Sequence, residues 1–157
     1  MGYKYGIWLV YNALTFYNIS TISPKHIGHF TISCNMEYSD AVNLYHKLLE
    51  QFGEYSTMCV SGKPTIFPIG FYQNATNDLY SWGYTATNLL WEYYKNTCNS
   101  ELGDFSEIPH TSIQYSKSEF IQTYVDSKNI DNFQVDCKLC LVDITSNDPM
   151  DWTIIQC

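Results

Sequence analysis

Arginine is absent from this chain of 157 residues, and all eight basic residues are lysines. Acidic residues outnumber them, so the formal net charge is −8 at pH 7. Proteins that bind long DNA or RNA present a basic surface that neutralises phosphates. The composition therefore excludes a long nucleic acid as partner. It is compatible with a short anionic ligand held in one local pocket.

Long apolar segments are also lacking. Gly, Asn, Lys or Ser interrupts every candidate before it reaches the length of a membrane span. The N-terminal stretch MGYKYGIWLVYN is rich in tyrosine and has no small-residue cleavage site, so it is not predicted to be a secretory signal. We therefore expect the six cysteines to be reduced thiols of a cytoplasmic protein that has no membrane partner.

Residue usage gives an indication of the source. Asn, Ile, Lys and Tyr are frequent while arginine is missing, a bias that is typical of AT-rich genomes, as in many viruses. If the protein is viral, the expected compartment is the cytoplasm of the host cell. A codon bias of this kind places no constraint on the fold.

Metal-binding patterns are sparse. Cys137 and Cys140 form a lone C-x-x-C pair within the strand-like run FQVDCKLCLVDI. Residues i and i+3 of a strand point to opposite faces, so these two thiols are not expected to share a metal ion or to act as a redox pair. The sequence shows no strong carboxylate cluster either. We therefore expect neither a metal ion nor another cofactor.

Apolar and aromatic residues make up 45% and 17% of the chain, which indicates a folded protein. No linker divides it, so residues 1–157 are predicted to form one domain with two similar halves. Residues 39–53 have helical spacing, with Ser39 as N-cap and Gly53 at the end, whereas residues 12–25 are polar and turn-rich. Strands are predicted at 3–11, 27–34, 55–62, 64–72, 79–85, 110–116, 133–145 and 152–157, and further helices at 87–98 and 117–128. The expected fold class is α+β.

Two of the four histidines occur in the same strand pattern. His29 is followed by Thr31 in the run HFTI, and His110 is followed by Ser112 in the run HTSI. Residues i and i+2 of a strand share a face, so each strand presents an imidazole beside a hydroxyl. A lone histidine in a strand is more often a partly buried ring bonded to the backbone. The repetition of one pattern in two similar halves favours a shared functional site.

The other two histidines have simpler interpretations. His46 lies in the first predicted helix beside Lys47 and is expected to be solvated. His26 precedes His29 by three positions, which places it on the other strand face or in the loop before the strand. Neither residue is predicted to bind a ligand.

The pair HFTI and HTSI resembles the signature of the two-histidine (2H) phosphoesterases, also called LigT-like proteins. The closing segment FQVDCKLCLVDITSNDPMDWTIIQ is similar to the C-terminal hairpin of that family. The resemblance covers nearly the whole chain in the order of elements, and Ser112 stands where threonine is commoner. It implies a bilobal α+β fold in which two antiparallel sheets line a central cleft, with the helices outside.

The resemblance also implies catalytic roles for four residues. His29 and His110 would form an acid–base pair, because imidazoles with a pKa of about 6.5 can be held in opposite protonation states. Thr31 and Ser112 would donate hydrogen bonds to the phosphate oxygens on which charge builds. This chemistry needs no metal ion.

Substrate-binding residues are predicted beside the implied cleft. Aromatic side chains commonly flank the cleft of LigT-like enzymes at the positions of Tyr11 and Trp152, and either could stack on a base. Lys138 is expected to supply a positive charge for the phosphate. Weaker candidates for these two roles are Trp82, Tyr115, Lys25 and Lys63.

Members of the family process RNA ends, open 2′,3′-cyclic phosphates, cleave 2′–5′ oligoadenylates or cleave cyclic oligonucleotide messengers. The compact, arginine-free chain is most similar to viral and phage members of the anti-CBASS type, which destroy cyclic oligonucleotide messengers of host immunity. We therefore expect a small nucleotide substrate, and the oligomeric state is left open. A 2′–5′ oligoadenylate or an RNA 2′,3′-cyclic phosphate is the alternative substrate. A non-catalytic protein that sequesters a nucleotide is the alternative of another class.

Overall fold

The computed structural model describes residues 3–68, 80–98, 103–116 and 122–157. Within these ranges the chain has a mixed α+β fold with mostly antiparallel strands, which confirms the predicted class. The strands are β1 Tyr5–Val10, β2 His29–Met36, β3 Tyr55–Pro68, β4 Tyr80–Thr87, β5 Asp104–Phe105, β6 His110–Ser116, β7 Phe133–Asp143 and β8 Thr153–Gln156. The helices are α1 Ala13–Ile19, α2 Tyr38–Phe52, α3 Trp91–Thr97 and α4 Gln122–Asp126.

The described strands form one hydrogen-bonded sheet rather than the two sheets that the family resemblance implies. Its order is β5-β2-β1-β7-β3-β4-β6, and β8 pairs with β7 off this path. In this order β1, β7, β3 and β4 separate β2 from β6, yet β2 and β6 contact each other. The sheet is therefore curled into a half-barrel. Its curl brings together the two strands that carry the His-x-hydroxyl motifs.

Apolar side chains are divided between two clusters. The larger cluster contains Phe30 and Ile32 of β2 together with the inner face of α2. The smaller cluster consists of Trp8, Cys140, Val142, Ile144 and Trp152. Because successive strand residues point to opposite faces, β2 directs Phe30 and Ile32 into the larger cluster and leaves His29 and Thr31 on the other face.

Helix α2 covers the larger cluster with one apolar face. Its buried residues recur every three or four positions and are Ala41, Leu44, Tyr45 and Leu48. Burial of each large side chain contributes about 1.5–3 kcal/mol. The helix ends at Gly53 as predicted, but its N-cap is Glu37 rather than Ser39. In the described ranges, no helix combines the length and the apolar character needed to cross a bilayer.

Other segments also differ from the sequence prediction. The segment 12–25, predicted as turns, contains α1, because the side chain of Asn12 accepts a hydrogen bond of 2.7 Å from the Thr15 N–H and caps the helix. Strand β3 is one strand that covers the first predicted strand, 55–62, and the part of the second, 64–72, that lies within the described residues. The remainder of that prediction, 69–72, lies outside the described residues, as does 117–121 of the last predicted helix.

The prediction of six reduced thiols is wrong for Cys140 and Cys157, which form a disulfide. Leu141 pairs with Gln156 across β7 and β8, so the last residue of the chain comes to lie beside Cys140. Cys137 packs in the larger apolar cluster and Cys140 in the smaller one. This confirms that the two cysteines of the C-x-x-C pair point to opposite faces of β7.

Candidate active site

A cavity of about 250 Å³ is lined by all four predicted catalytic residues. His29 and Thr31 reach it from β2, and His110 and Ser112 reach it from β6. Phe30, the residue between the first pair, packs into the larger core instead, as strand alternation requires. The fold thus places two imidazoles and two hydroxyls around one space.

His29 is fixed by a backbone hydrogen bond and by an aromatic ring. Its Nδ1 lies 2.7 Å from the carbonyl oxygen of Ile27. A carbonyl can only accept, so Nδ1 carries the proton and the neutral ring has its lone pair on Nε2. The imidazole also stacks on Trp8 of β1, with ring centroids 3.5 Å apart and planes inclined by 7°. Both contacts restrict the ring to one orientation.

His110 has the same backbone contact as His29. Its Nδ1 lies 2.9 Å from the carbonyl oxygen of Ile108, two residues earlier in the chain. The neutral form of this ring therefore also has its lone pair on Nε2. The two histidines, from opposite halves of the chain, therefore have the same tautomer. In both rings, Nε2 is the atom that can exchange a proton with a ligand.

Burial lowers the pKa of both histidines, but to different extents. For His29, burial is the largest cause, and the neighbouring His26 and His110 add to it, so its pKa lies well below 6.5. The pKa of His110 is lowered from 6.5 by burial, and its bond to Ile108 opposes the shift. His29 is 8% exposed, whereas His110 remains partly open to solvent. His110 is therefore the imidazole that is easier to charge.

The hydroxyl of Ser112 is hydrogen-bonded to a residue of the neighbouring strand. Its Oγ lies 2.6 Å from the Oγ of Ser81 on β4, and either hydroxyl could donate in this bond. A serine hydroxyl has one proton and two lone pairs, so the Ser112 proton is left for a ligand when Ser81 is the donor. The hydroxyl of Thr31 has no hydrogen-bond partner among the described residues. Both hydroxyls are thus able to donate to a phosphate.

His26 lies in the loop before β2, one of the two positions expected for it, but it is buried. Its ring centroid is 5.5 Å from that of His29 and 6.1 Å from that of Trp152. Its Nδ1 is 3.4 Å from the carbonyl oxygen of Pro149. Burial lowers its pKa to about 4, so the ring is neutral at pH 7. His46 is exposed on α2, as predicted.

Of the three predicted substrate-binding residues, Trp152 lines the cavity, with its ring centroid 6.4 Å from that of His29. Tyr11 lies elsewhere: it is 4% exposed, packs in the larger core, and its hydroxyl is 2.7 Å from Oγ1 of Thr111. Lys138 also lies outside the cavity, with its ammonium 6.0 Å from the ring centroid of Tyr55. Of the weaker candidates, Tyr115 lines the cavity, whereas Trp82, Lys25 and Lys63 do not.

Several residues of the cavity wall are not predicted from the sequence. Trp8 reaches the cavity because it pairs with Thr31 in the β1–β2 register. Ser81 reaches it because β4 pairs with β6. The other lining residues that were not predicted are Tyr3, Cys34, Asp104, Phe105, Ser106 and Ile144. No local motif marks these residues, and their signal is the register between strands, which a single sequence does not give.

Charge in the cavity is low. None of the described residues that line it is a lysine, and Asp104 is the one with a carboxylate. Among the described residues, no three or more His, Cys, Asp or Glu side chains are grouped so that they could hold a metal ion. Stabilisation of an anionic ligand would therefore come from hydrogen-bond donors and from a protonated imidazole.

Comparison with models of known protein families gives no match, and comparison with curated protein sequences gives none either. The resemblance to 2H phosphoesterases therefore rests on the two tetrapeptides and on the order of elements.

Gly83 of β4 is expected to be essential for the position of the second motif strand. An added Cβ would lie 2.0 Å from the carbonyl oxygen of Thr111, a backbone atom of β6 that cannot rotate away. We expect Gly83→Ala to lower the free energy of unfolding by about 3 kcal/mol, the upper part of the range for overpacking. Thermal and urea unfolding of the purified variant measure this change.

Gly53→Ala is the matched control for Gly83→Ala. At Gly53 an added Cβ meets no atom within 4 Å, and only the backbone φ of 80° opposes alanine. The expected loss of stability is about 1 kcal/mol. Equal stabilities of the two variants would contradict the close approach of β4 and β6 at Gly83.

Proposed function

We propose that this chain is a metal-independent phosphodiesterase of the 2H type and that the half-barrel is a bilobal LigT-like fold. One observation carries the proposal: His29 and His110 line one cavity, each with its Nδ1 bonded to the carbonyl two residues earlier. With Thr31 and Ser112, they supply a proton acceptor, a proton donor and two hydrogen-bond donors for a phosphate. A site that only binds a nucleotide has no need of paired proton-transfer groups.

The difference in burial supports an assignment of the two roles. A bound phosphodiester adds one negative charge, and a proton taken up with it goes to the imidazole that is less costly to charge. His110 is partly exposed, whereas His29 is buried against Trp8 and next to His26. His110 is therefore the general acid, and His29, which stays neutral, is the general base.

The reaction follows from these roles. Nε2 of His29 takes the proton of a ribose 2′-hydroxyl, and the 2′-oxygen forms a bond to the adjacent phosphorus. The bond from phosphorus to the 5′-oxygen of the next nucleotide breaks, and His110 protonates that oxygen. The products are a 2′,3′-cyclic phosphate and a 5′-hydroxyl. Thr31 and Ser112 donate hydrogen bonds to the two non-bridging oxygens as charge builds on them.

Cyclic di- or oligonucleotides are the proposed substrates. The net charge of −8 and the lack of lysine among the described lining residues disfavour a long polyanion. A cyclic dinucleotide carries few charges and presents its scissile phosphate next to a base, for which the cavity offers aromatic walls. Since such molecules are messengers of antiviral immunity, the chain would act as a viral counter-defence enzyme in the cytoplasm of the host cell.

Turnover of a substrate panel in EDTA tests the proposal. The panel contains ribose cyclic dinucleotides, a 2′–5′ oligoadenylate and an RNA 2′,3′-cyclic phosphate. We expect the cyclic dinucleotides to be opened at the same rate with and without EDTA. Cleavage of only one of the other substrates would reassign the substrate. Loss of activity in EDTA that a divalent ion restores would overturn the metal-independent mechanism. Binding of the cyclic dinucleotides without cleavage would identify a binding protein.

The pH dependence of kcat/KM should be a bell whose two limbs both lie below pH 6.5. Burial holds the pKa values of both His29 and His110 below 6.5 in the free protein. The rate falls at low pH when His29 becomes protonated, and at higher pH when His110 loses its proton. In kcat the upper limb should move to higher pH, because the bound phosphate favours protonated His110. A kcat/KM optimum above pH 6.5 would contradict these assignments.

A further inference from the structure

Asp104 is unexpected in a cavity that is proposed to hold a phosphate. Among the described lining residues it is the one acidic side chain, and none is a lysine that could offset it. A carboxylate repels an anionic ligand, so its presence weakens binding unless it accepts a hydrogen bond from that ligand. We therefore expect the ligand to have a hydrogen-bond donor that contacts this carboxylate.

Strand register turns the side chain of Asp104 towards the cavity. Asp104 pairs with Cys34, and its neighbour Phe105 pairs with Ser33, across β5 and β2. Cys34 packs against the smaller apolar cluster and lines the cavity. Directly opposed residues of two strands share a face, so Asp104 lies on the same side. Phe105 also lines the cavity, and its ring packs against Trp91, with centroids 5.6 Å apart.

The carboxylate of Asp104 is exposed and has one hydrogen-bond partner among the described residues. The amide Nδ2 of Asn35 donates to its Oδ2 over 2.6 Å. Asn35 has a backbone φ of 61°, and its N–H donates to the carbonyl oxygen of Tyr3 over 2.7 Å. Asn35 thus has a left-handed backbone conformation and a backbone hydrogen bond, and its side-chain amide lies beside Asp104. Oδ1 of Asp104 accepts no hydrogen bond from the described residues and can accept one from a ligand.

An aromatic wall connects the histidines with Asp104. The ring of Trp152 has its centroid 6.4 Å from that of His29 and 6.0 Å from that of Tyr3. Tyr3 and Cys34 line the same cavity, and Cys34 is the strand partner of Asp104. A nucleotide with its phosphate at the histidines would lay its base along this wall. The edge of the base would face Asp104.

We propose that Asp104 selects a nucleobase with an exocyclic amino group, adenine or cytosine rather than hypoxanthine or uracil, next to the scissile phosphate. The inference rests on the proposed function. An amino group donates to Oδ1, whereas an oxo group at the same place brings two acceptors together and gives Oδ1 no donor from the ligand. Each good contact of this kind discriminates between bases by roughly tenfold or more.

Matched substrate pairs test the selectivity. The pairs are cyclic dinucleotides that differ only in adenine against hypoxanthine, or in cytosine against uracil. For the wild-type chain we expect kcat/KM to favour the amino base of each pair by roughly tenfold or more. Asp104→Asn should remove or reverse the preference, because an amide can donate to an oxo group. Glu107→Gln is the control, since Glu107 pairs with Lys95 outside the cavity, and should keep it.

A role of Asp104 in overall charge alone gives a different result. Asp104→Asn would then accelerate cleavage of both members of each pair by one common factor, and the ratio would stay unchanged. That outcome would overturn the inference and leave the proposed function intact. Equal kcat/KM values of the wild-type chain for the two members of each pair would do the same. Dissociation constants for the same pairs, measured with His110→Gln, test selectivity without turnover. Equal affinities there would also overturn the inference.

Discussion

Alanine in place of His29 or His110 is expected to lower kcat by roughly 100-fold or more at the pH optimum. Each substitution removes one of the two groups that exchange protons with the substrate. His46→Ala is the matched control, because His46 is exposed on α2 and should be replaceable without effect. Full turnover by either alanine variant would exclude that histidine from the chemistry.

The buried position of His29 requires a second variant. Its ring stacks on Trp8 with centroids 3.5 Å apart, so alanine leaves a gap that can lower stability as well as activity. His29→Gln keeps most of the volume and a polar end but cannot act as a base near neutral pH. We expect thermal unfolding close to that of the wild type and a loss of turnover as large as in the alanine variant. A stable and active glutamine variant would show that His29 has only a structural role.

A 2′-deoxy or 2′-O-methyl substrate is expected to bind without being cleaved. In the proposed reaction the nucleophile is the ribose 2′-hydroxyl, whose proximity to phosphorus removes much of the entropic barrier of a bimolecular attack. Either modification removes this nucleophile and leaves the base free to contact Trp152 and Tyr3. Initial rates and dissociation constants of the ribose and deoxyribose cyclic dinucleotides, measured side by side, provide the check.

Cleavage of the deoxy analogue at a rate comparable to that of the ribose substrate would identify water as the nucleophile. The two histidines could then still act as base and acid, but the internal attack would be wrong. Failure of the deoxy analogue to bind would instead show that the cavity reads the 2′-hydroxyl itself. Two ribose substrates with different bases serve as controls for the integrity of each protein preparation.

The sequence is sufficient to predict the motif strands and which of their side chains share a face. The frame His, variable residue, hydroxyl, Ile places His29 with Thr31 and His110 with Ser112 on one face of each strand. Both pairs do line the cavity. Helix α2 can also be predicted from the sequence, because its buried residues follow the helical period over 15 residues. Local periodicity is thus enough where an element is long or a motif is repeated.

Contacts that depend on strand register and on the curl of the sheet cannot be predicted from local periodicity. Tyr11 ends up in the larger core because it continues the inward frame of Ile7 and Leu9, whereas Trp8, on the alternate frame, meets His29. Lys138 is carried to the side of Tyr55 by the pairing of β3 with β7. The bond between Cys140 and Cys157 likewise depends on the β7–β8 register. One sequence carries these registers only implicitly, as the sum of many cross-strand contacts.

The mass and structure of the product from one ribose cyclic dinucleotide test the central claim most directly. The wild-type chain in EDTA and heavy-oxygen water is predicted to open the ring to a linear product of unchanged mass, with a 2′,3′-cyclic phosphate and a 5′-hydroxyl. His29→Ala and His110→Ala are predicted to leave the ring closed over the same time. Recovery of the intact cyclic ligand from the wild-type protein would contradict the claim that these two histidines form an acid–base pair for phosphodiester cleavage.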